Sequence, residues 1–354
     1  MTDPQPPPLL DALLRTPGPS GYEAPAAEVW RDAAAFAEVR TDALGSSVVT
    51  VTGSLEDGPT FAVVGHIDEI GLVVTHIDSD GFLWFGPIGG WDPQNLVGQR
   101  VLVSGREGEI QGVLGKKPIH LLKAEARKKV TKIEEMHIDI GADDQEEAEA
   151  LVRVGDPAVL AAEPLELPNG RLASRSMDNR LGSYVALEVA RRVAEGDGVK
   201  ATVAGVAAVQ EEITMAGSRT TAFAVDPDLA VAVDVTHATD APGIDKKENG
   251  EHALGSGPVV GRGSTLSPQV TALLIETAEA EGIDYTLEAS GRRTGTDADA
   301  IHISRAGIAT GLVSIPLRYM HSTVEMVQLS DVEAVISLLV AVAGRVDGDT
   351  KLAR

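Results

Sequence analysis

The second half of the chain alternates short apolar segments with amphipathic ones, and this alternation limits the folds open to it. Residues 200–209 and 229–235 are apolar runs of strand length, whereas residues 182–195 and 329–346 repeat apolar side chains at helical spacing. Strands that are apolar on both faces and separated by helices are typical of a sheet covered by helices on both sides. The sequence therefore predicts an α/β fold with a mixed sheet between two helical layers.

A different pattern runs from about residue 81 to residue 166. This stretch has short β-branched segments, many glycines and a charged run, and only residues 144–152 suggest a helix. Such features are typical of short strands joined by turns. We therefore predict a main domain in two parts, residues 1–73 and 167–354, with a β-rich domain inserted at residues 74–166.

Charge and composition exclude several classes of partner. The chain has 354 residues, of which 53 are acidic and 30 basic, and its net charge of -23 disfavours binding to nucleic acid or to an anionic membrane. No apolar run approaches the roughly 20 residues of a membrane span. The N-terminal residues show no secretory signal, and the chain has no cysteine for disulfide bonds. We predict a cytoplasmic protein without nucleic-acid or membrane partners.

Acids and histidines stand at the ends of several predicted elements. They are His66, Asp68, Asp178, Glu211, Glu212, Asp234 and His321. The carboxyl ends of strands in such sheets are where ligands bind, so these side chains are expected to meet. Imidazole nitrogen and carboxylate oxygen suit zinc and its neighbours, and a carboxylate can bridge two cations. The pattern favours a hydrolase with two divalent metal ions.

Taken singly, these residues have ordinary structural explanations. Asp178 precedes a helix and would serve as an N-cap, and a strand-end histidine such as His66 is common. The adjacent Glu211 and Glu212 are more informative. Neighbouring carboxylates repel each other, and this cost is accounted for if one of them binds a metal ion and the other accepts a proton from water. A carboxylate inside an apolar strand, as at Asp234, is costly to bury unless it is paired or binds metal.

Ordered motifs along nearly the whole chain give a resemblance to a known family. They are Pro17-Gly18-Pro19-Ser20-Gly21-Tyr22-Glu23, His66-Ile67-Asp68-Glu69-Ile70-Gly71, Gly86-Pro87-Ile88-Gly89-Gly90-Trp91, Gly115-Lys116-Lys117-Pro118-Ile119-His120, Ile138-Asp139-Ile140-Gly141-Ala142, Asp234-Val235-Thr236-His237-Ala238, Gly295-Thr296-Asp297-Ala298 and Arg318-Tyr319-Met320-His321-Ser322. With them the chain resembles the tetrahedral aminopeptidases, two-metal peptidases that include glutamyl and deblocking aminopeptidases and some members labelled endoglucanase.

The resemblance implies a role for each candidate residue. It implies five metal ligands, with Asp178 as the bridge, His66 and Asp234 on one metal, and Glu212 and His321 on the other. It also implies that Glu211 is the general base and that Asp68 is the acid behind His66. The expected cofactors are two divalent ions per chain, zinc before cobalt or manganese. The inserted domain is expected to be PDZ-like and to form dimers, which assemble into a tetrahedral dodecamer.

The function predicted from the sequence is removal of N-terminal residues from peptides, with the substrate amine recognised by a metal or by acids such as Asp68 or Glu69. The alternative is a metal-dependent deacylase or carboxypeptidase that acts on small N-acyl amino acids. Glycoside hydrolysis is disfavoured because aromatic residues make up only 3% of the chain, and a protein with purely structural metals is the remaining rival.

Substrate preference stays open at this stage. The family pattern after Glu212 usually carries an arginine where this chain has Ala216. Arg292, Arg293 and Arg318 are each a candidate for binding a substrate carboxylate or for a simple surface position.

Overall fold

The structure is a computed structural model that describes residues 5–352. Its α-helices are α1 (Pro8–Arg15), α2 (Ala24–Ala33), α3 (Gln145–Leu151), α4 (Met177–Glu195), α5 (Glu211–Thr214), α6 (Ala216–Val225), α7 (Lys246–Asn249), α8 (Pro268–Glu281), α9 (Ala298–Ile301) and α10 (Leu329–Arg345). Its strands are β1 (Glu38–Thr41), β2 (Ser47–Val51), β3 (Thr60–His66), β4 (Gly71–Ile77), β5 (Leu83–Ile88), β6 (Arg100–Gly105), β7 (Gly108–Lys116), β8 (Met136–Asp139), β9 (Pro157–Leu160), β10 (Leu165–Leu167), β11 (Arg171–Ser174), β12 (Thr202–Ala208), β13 (Leu229–His237), β14 (Val259–Gly263), β15 (Thr286–Ser290), β16 (Ala309–Leu317) and β17 (Glu325–Gln328).

The main sheet has eight strands in the order β1-β2-β12-β3-β13-β16-β14-β15. Its central strands β12, β3, β13 and β16 are parallel to one another. Antiparallel pairs flank them, β2 with β12 on one side and β14 with β16 on the other. The sheet is therefore mixed, and the parallel centre gathers four strand ends at one edge, where a ligand site is expected.

Helices cover both faces of this sheet. One face packs against α4, α8 and α10 in the largest apolar cluster, which includes Val185, Leu274 and Leu339. The other face packs against α6 and α9 through small side chains such as Ala222 and Ala298. The predicted α/β fold with a helix-covered mixed sheet is confirmed.

Glycines allow α4 to lie directly on the sheet just below the edge that carries the acids. A Cβ atom added to Gly65 of β3 would lie 2.1 Å from the backbone carbon of Gly182 in α4, and one added to Gly182 would lie 2.5 Å from the carbonyl oxygen of Val233. Any side chain at these positions would push helix and sheet apart. This close contact brings the start of α4 beside the ends of β3 and β13.

The inserted segment forms a closed barrel of strands in the order β4-β5-β8-β7-β6-β9. It has an apolar cluster of its own, with Leu83, Val101 and Ile138 fully buried. The barrel strands span residues 71–160, so the boundary predicted at residue 74 falls inside β4 and the one at residue 166 falls inside β10. A small sheet of β10, β11 and β17 follows the barrel.

Several element boundaries differ from those expected. Strand β1 has no predicted counterpart, because its residues Glu38–Thr41 are mostly exposed and lack an apolar pattern. The sequence pattern also predicts a helix over residues 297–306, whereas α9 covers only Ala298–Ile301. It predicts a strand over residues 284–288, and β15 lies at Thr286–Ser290. Across residues 5–352, none of the helices has the length and apolar character needed to cross a membrane.

Candidate metal centre

The five predicted metal ligands lie at the edge of the sheet where the parallel strands end. They form two groups, one of His66, Asp178 and Asp234 and the other of Asp178, Glu212 and His321. Within each group the possible ligand atoms lie within 4.8 Å of one another. Asp178 belongs to both groups, which is the geometry of a carboxylate placed between two cations.

Asp178 presents one carboxylate oxygen to each histidine. Its Oδ1 lies 3.2 Å from Nε2 of His66, and its Oδ2 lies 3.3 Å from Nε2 of His321. Burial opposes ionisation of this carboxyl, but hydrogen bonds from the two histidines outweigh burial and hold the pKa of Asp178 below its ordinary value. The group is therefore charged, as a ligand must be.

His66 is the last residue of β3 and is almost fully buried. Its Nδ1 lies 3.4 Å from Oδ1 of Asp68, while its Nε2 faces Asp178. Burial raises the pKa of Asp68, but the hydrogen bond and charge of His66 outweigh burial and leave the pKa lowered. Asp68 thus orients the ring of His66, and a carboxylate in this position would strengthen the histidine as a metal ligand.

Asp68 also holds the turn that carries the two adjacent glutamates. Its Oδ1 accepts a hydrogen bond from the backbone N–H of Glu211 at 3.0 Å, and its Oδ2 accepts one from the N–H of Glu212 at 3.1 Å. The hydroxyl of Ser20 donates a further bond to Oδ2. A single buried carboxylate therefore fixes the histidine of one group and the glutamate of the other.

His321 is oriented by a residue of the barrel. Its Nδ1 lies 2.8 Å from the carbonyl oxygen of Gly90, which follows β5. The ring donates its Nδ1–H there, so Nε2 is the nitrogen that would bind a metal, 3.3 Å from Asp178 and 3.4 Å from Glu212. The predicted ligand set therefore depends on both domains.

Glu211 and Glu212 differ in their surroundings. Glu212 is the one that belongs to a ligand group, and its buried Oε1 has no hydrogen-bond partner in the described residues. The Oε2 of Glu211 lies 3.7 Å from Nε2 of His66. Burial is the largest effect on Glu211 and raises its pKa to about 10, with the charge of Asp234 adding to the rise. Divalent cations bound beside Glu211 would lower this pKa again. Because Glu211 belongs to neither ligand group, its carboxyl is left to accept and donate a proton.

Asp234 lies inside β13 and is almost fully buried. Its Oδ1 accepts a hydrogen bond from the N–H of Val235 at 2.8 Å. Burial raises its pKa well above the ordinary value, and the charge of Asp178 raises it further. Two divalent cations would offset this crowding of negative charge, so the donor set fits a pair of metal ions.

One residue that sequence reasoning missed ties the two groups together. Glu325, at the start of β17, is buried, and its Oε1 accepts from the N–H of His321 at 2.8 Å. Its Oε2 accepts from the N–H of Asp178 at 3.2 Å. Burial raises the pKa of Glu325 well above its ordinary value, and the charge of Asp178 adds to the rise. The signal available in the sequence was an acid four residues after His321.

Two further buried acids stand near the centre and were not predicted. Glu23 accepts hydrogen bonds from the N–H groups of Gly21 and Gln210, at 2.6 Å and 3.1 Å, and burial raises its pKa to about 7. Asp297 is buried with neither carboxylate oxygen hydrogen-bonded in the described residues. Burial raises its pKa to about 6. Its motif, Gly295-Thr296-Asp297-Ala298, was noted only as part of the resemblance.

The two acids that were expected to recognise a substrate amine, Asp68 and Glu69, are already bonded to other groups of the chain. Glu69 is buried, pairs with Arg175 and Arg180, and accepts from the N–H of Gly18 at 3.0 Å. Asp68 is fully buried and bonded as described above. The expectation that either one is free to bind an amine is therefore wrong, because their negative charge is already matched by other residues.

The backbone around the centre adopts left-handed conformations that side chains rarely take. Ser176, Gln210, Tyr319 and His321 have φ values of 58°, 60°, 62° and 59°. Each such residue costs of order 1–3 kcal/mol and persists only where surrounding contacts enforce it. All four lie within two residues of a predicted ligand or base. The surrounding contacts therefore hold the backbone in a less stable conformation at the positions that orient these side chains.

A cavity of about 440 Å³ opens beside the two glutamates. It is lined by Glu211, Glu212, Ile213, Thr214, Met215, Arg219, Arg293, Gly295, Asp299, Ala300 and Ile303. Among the three arginines considered from the sequence, Arg293 lines this cavity, while Arg318 makes a two-pronged ion pair with Asp240, at 3.0 Å and 2.6 Å. Arg318 is therefore not free to bind a substrate.

Comparison with known proteins identifies the family. The family model described as M42 glutamyl aminopeptidase matches residues 45–338. The chain belongs to the M42 aminopeptidase family. A lysyl aminopeptidase of Pyrococcus furiosus is 37% identical over 338 residues, which are 93% of this chain and 94% of that protein.

Two solved structures of TET peptidases are similar to this chain in fold and in sequence. A TET aminopeptidase from the marine sediment archaeon Thaumarchaeota archaeon SCGC AB-539-E09 has a TM-score of 0.91 at 36% identity, covering 97% of both chains. The Pyrococcus horikoshii TET1 peptidase, described as assembling into a tetrahedron or a large octahedral shell, has a TM-score of 0.82 at 31% identity, covering 95% of this chain and 98% of that one. The M42 protein is therefore a metal-dependent aminopeptidase, and the deacylase alternative is not favoured.

Proposed function

We propose that this M42 aminopeptidase removes N-terminal residues from peptides with two metal ions and with Glu211 as general base. The observation that carries the proposal is the position of Asp178, whose two oxygens face one histidine each at 3.2 Å and 3.3 Å. Asp178, His66 and Asp234 would hold one ion, and Asp178, Glu212 and His321 the other. Nitrogen and oxygen donors suit zinc best, with cobalt or manganese as alternatives.

Bound divalent cations lower the pKa of water and polarise a carbonyl group. Glu211 stands beside His66 and lines the open cavity, so it can take a proton from the attacking water and give it to the leaving amine. Asp68 holds the N–H groups of both glutamates, which keeps the base and the ligand in a fixed relation. Since Asp68 and Glu69 are engaged, we propose that the substrate amine is recognised at the metal centre itself.

A pair of peptides tests whether the enzyme requires a free N-terminus. A peptide of several residues with a free amine is expected to be shortened stepwise from its N-terminus, and its N-acetylated counterpart is expected to remain intact. Loss of a charge-assisted contact typically costs about 1.5–3 kcal/mol, or roughly 10- to 150-fold in rate or binding. Mass spectrometry of the two digests measures the result, and equal cleavage of both, or internal cuts in either, would rule out aminopeptidase action.

We further propose that the barrel at residues 71–160 forms the dimer contacts from which a dodecamer is built. Exposed apolar side chains on the barrel support this role, because Val113, Ile119, Leu121 and Val130 are each at least half exposed. Closed oligomers need a self-complementary surface of this kind. The similar TET1 peptidase, which is described as assembling into a tetrahedron, also supports the proposed dodecamer. A cytoplasmic location and the absence of nucleic-acid or membrane partners stay predictions.

Light scattering coupled to size-exclusion chromatography measures the assembly. The expected mass is that of twelve chains of 36.9 kDa. Replacing Leu121 and Val130 with Asp is expected to reduce the mass to that of smaller species, because charge on the apolar contact opposes association. A fully active monomer at micromolar concentration would contradict the proposal.

A further inference from the structure

The turn between β12 and α5 presents three successive backbone N–H groups to two buried carboxylates. Asp68 accepts from the N–H groups of Glu211 and Glu212, as described above. Glu23 accepts from the residue before them, with its Oε1 3.1 Å from the backbone nitrogen of Gln210. Glu23 is buried and belongs to neither ligand group. A buried carboxylate that bonds the residue before the proposed general base is therefore still without a role.

Glu23 ends the loop at residues 17–23, which leads into α2. The same loop also contacts the other carboxylate, because the hydroxyl of Ser20 donates to Asp68. Within the loop, the N–H group of Gly21 donates to the same oxygen of Glu23, at 2.6 Å. This one loop thus holds the turn in two ways, directly through Glu23 and indirectly through Ser20 and Asp68.

Gln210 is the residue at which the backbone of the turn changes direction. Its φ of 60° lies in the left-handed region, which a residue with a side chain keeps only where surrounding contacts enforce it. The peptide group before Gln210 is bonded to Glu23, and the peptide group after it is bonded to Asp68. The two carboxylates therefore clamp the peptide groups on both sides of Gln210 and enforce this angle.

The two glutamates of the turn depend on this clamp to different degrees. A metal ion would anchor the carboxyl of Glu212, which belongs to a ligand group with His321. The carboxyl of Glu211 belongs to neither group, so its direction follows from the backbone that carries it. Relaxation of the turn toward commoner backbone angles would therefore displace Glu211 more than Glu212.

We propose that Glu23 is a positioning residue for Glu211, because it holds the backbone of Gln210 and thereby the direction of the general base. The inference rests on the proposed function, since it acts through the proton transfer assigned to Glu211. Glu23 would exert this effect as a hydrogen-bond acceptor, without touching the substrate or the metal ions.

A Glu23→Met variant is expected to lower kcat about 10- to 100-fold, because displacement of a reacting group by about 1 Å can cost this much. Methionine has a similar length but offers no oxygen to the two N–H groups. KM and metal content are expected to stay close to those of the wild type. The assay uses the aminoacyl p-nitroanilide that the wild type hydrolyses fastest, with elemental analysis of the same preparation.

Two further variants at this position separate the acceptor from the volume of the side chain. Glu23→Gln keeps a carbonyl oxygen at the same distance along the side chain, so it is expected to retain most of the wild-type kcat. Glu23→Asp is expected to lower kcat, because its carboxylate is one methylene group short of the turn, and it serves where Glu23→Met does not fold. The matched control is Glu28→Met, because Glu28 is exposed on α2.

A double-variant cycle separates positioning from general support of the fold. In a Glu211→Gln background the base is already lost, so adding Glu23→Met is expected to lower kcat no further. Residues that act through the same step are non-additive in this way. If Glu23 only supported the fold, its replacement would cost the same factor in both backgrounds.

Three outcomes would overturn the inference while the proposed function stands. They are an unchanged kcat in Glu23→Met, or in Glu23→Asp where the Met variant does not fold, equal losses in Glu23→Met and Glu23→Gln, and equal losses in the two backgrounds of the cycle. Full activity of Glu211→Gln with both metals bound would instead remove the base from the proposed function, and the inference with it.

Discussion

An Asp178→Asn variant is expected to lose nearly all peptidase activity and to retain fewer than two metal ions per chain. Asp178 faces both histidines and belongs to both ligand groups, so an amide at this position weakens both sites at once. Changing an outer partner of a metal ligand typically costs roughly 10- to 100-fold in activity or metal affinity. Loss of the shared ligand should cost more than that.

Elemental analysis after gel filtration gives the metal content, and aminoacyl p-nitroanilides give the turnover. The matched control is Asp197→Asn, because Asp197 is exposed and lies in the turn after α4. Circular dichroism of both variants confirms folding. Two tightly held metals in Asp178→Asn, together with normal turnover, would refute the bridging role.

A Glu211→Gln variant is expected to keep both metals and to lose about 10²- to 10⁴-fold in kcat, the range for a missing general base. Glutamine preserves the shape and the backbone hydrogen bond to Asp68, but it cannot take the proton. Little change is expected in metal content, because Glu211 belongs to neither ligand group. Elemental analysis and steady-state kinetics on the same preparation measure both quantities.

The neighbouring Glu212→Gln variant is the matched comparison. It has the same change of one atom, the same hydrogen bond to Asp68 and nearly the same burial. We expect it to lose metal, because Glu212 shares a ligand group with His321. If Glu211→Gln loses metal and Glu212→Gln does not, the two roles are reversed.

Local sequence determined the elements and the type of chemistry. The apolar run at residues 229–235 predicted β13, because a strand that is buried on both faces is apolar throughout. The helical spacing of apolar residues at 329–346 predicted α10, because side chains on one face of a helix recur every three or four residues. The same reasoning placed His66 at the end of one strand and Asp234 near the end of another, where the parallel centre of a sheet gathers them. The ligand set, however, came from the family resemblance.

Other features were decided only by contacts between distant parts of the chain. The carbonyl of Gly90 orients His321 across 231 residues, and Glu325 fixes Asp178 across 147 residues. Arg175 and Arg180 neutralise Glu69, which the sequence had offered as an amine-binding acid. No periodicity encodes such pairs, because the direction of a side chain depends on the packing of elements that are far apart in sequence.

The sequence by itself therefore determined an α/β sheet with an insertion and a set of acids and histidines near its strand ends, since these follow from local pattern. Tertiary structure alone decided which acids are free and which are paired, how the barrel orients a ligand, and which arginines face the cavity. The physical reason is that a charge acquires its role from burial and from its neighbours, and both are set only when the chain has packed.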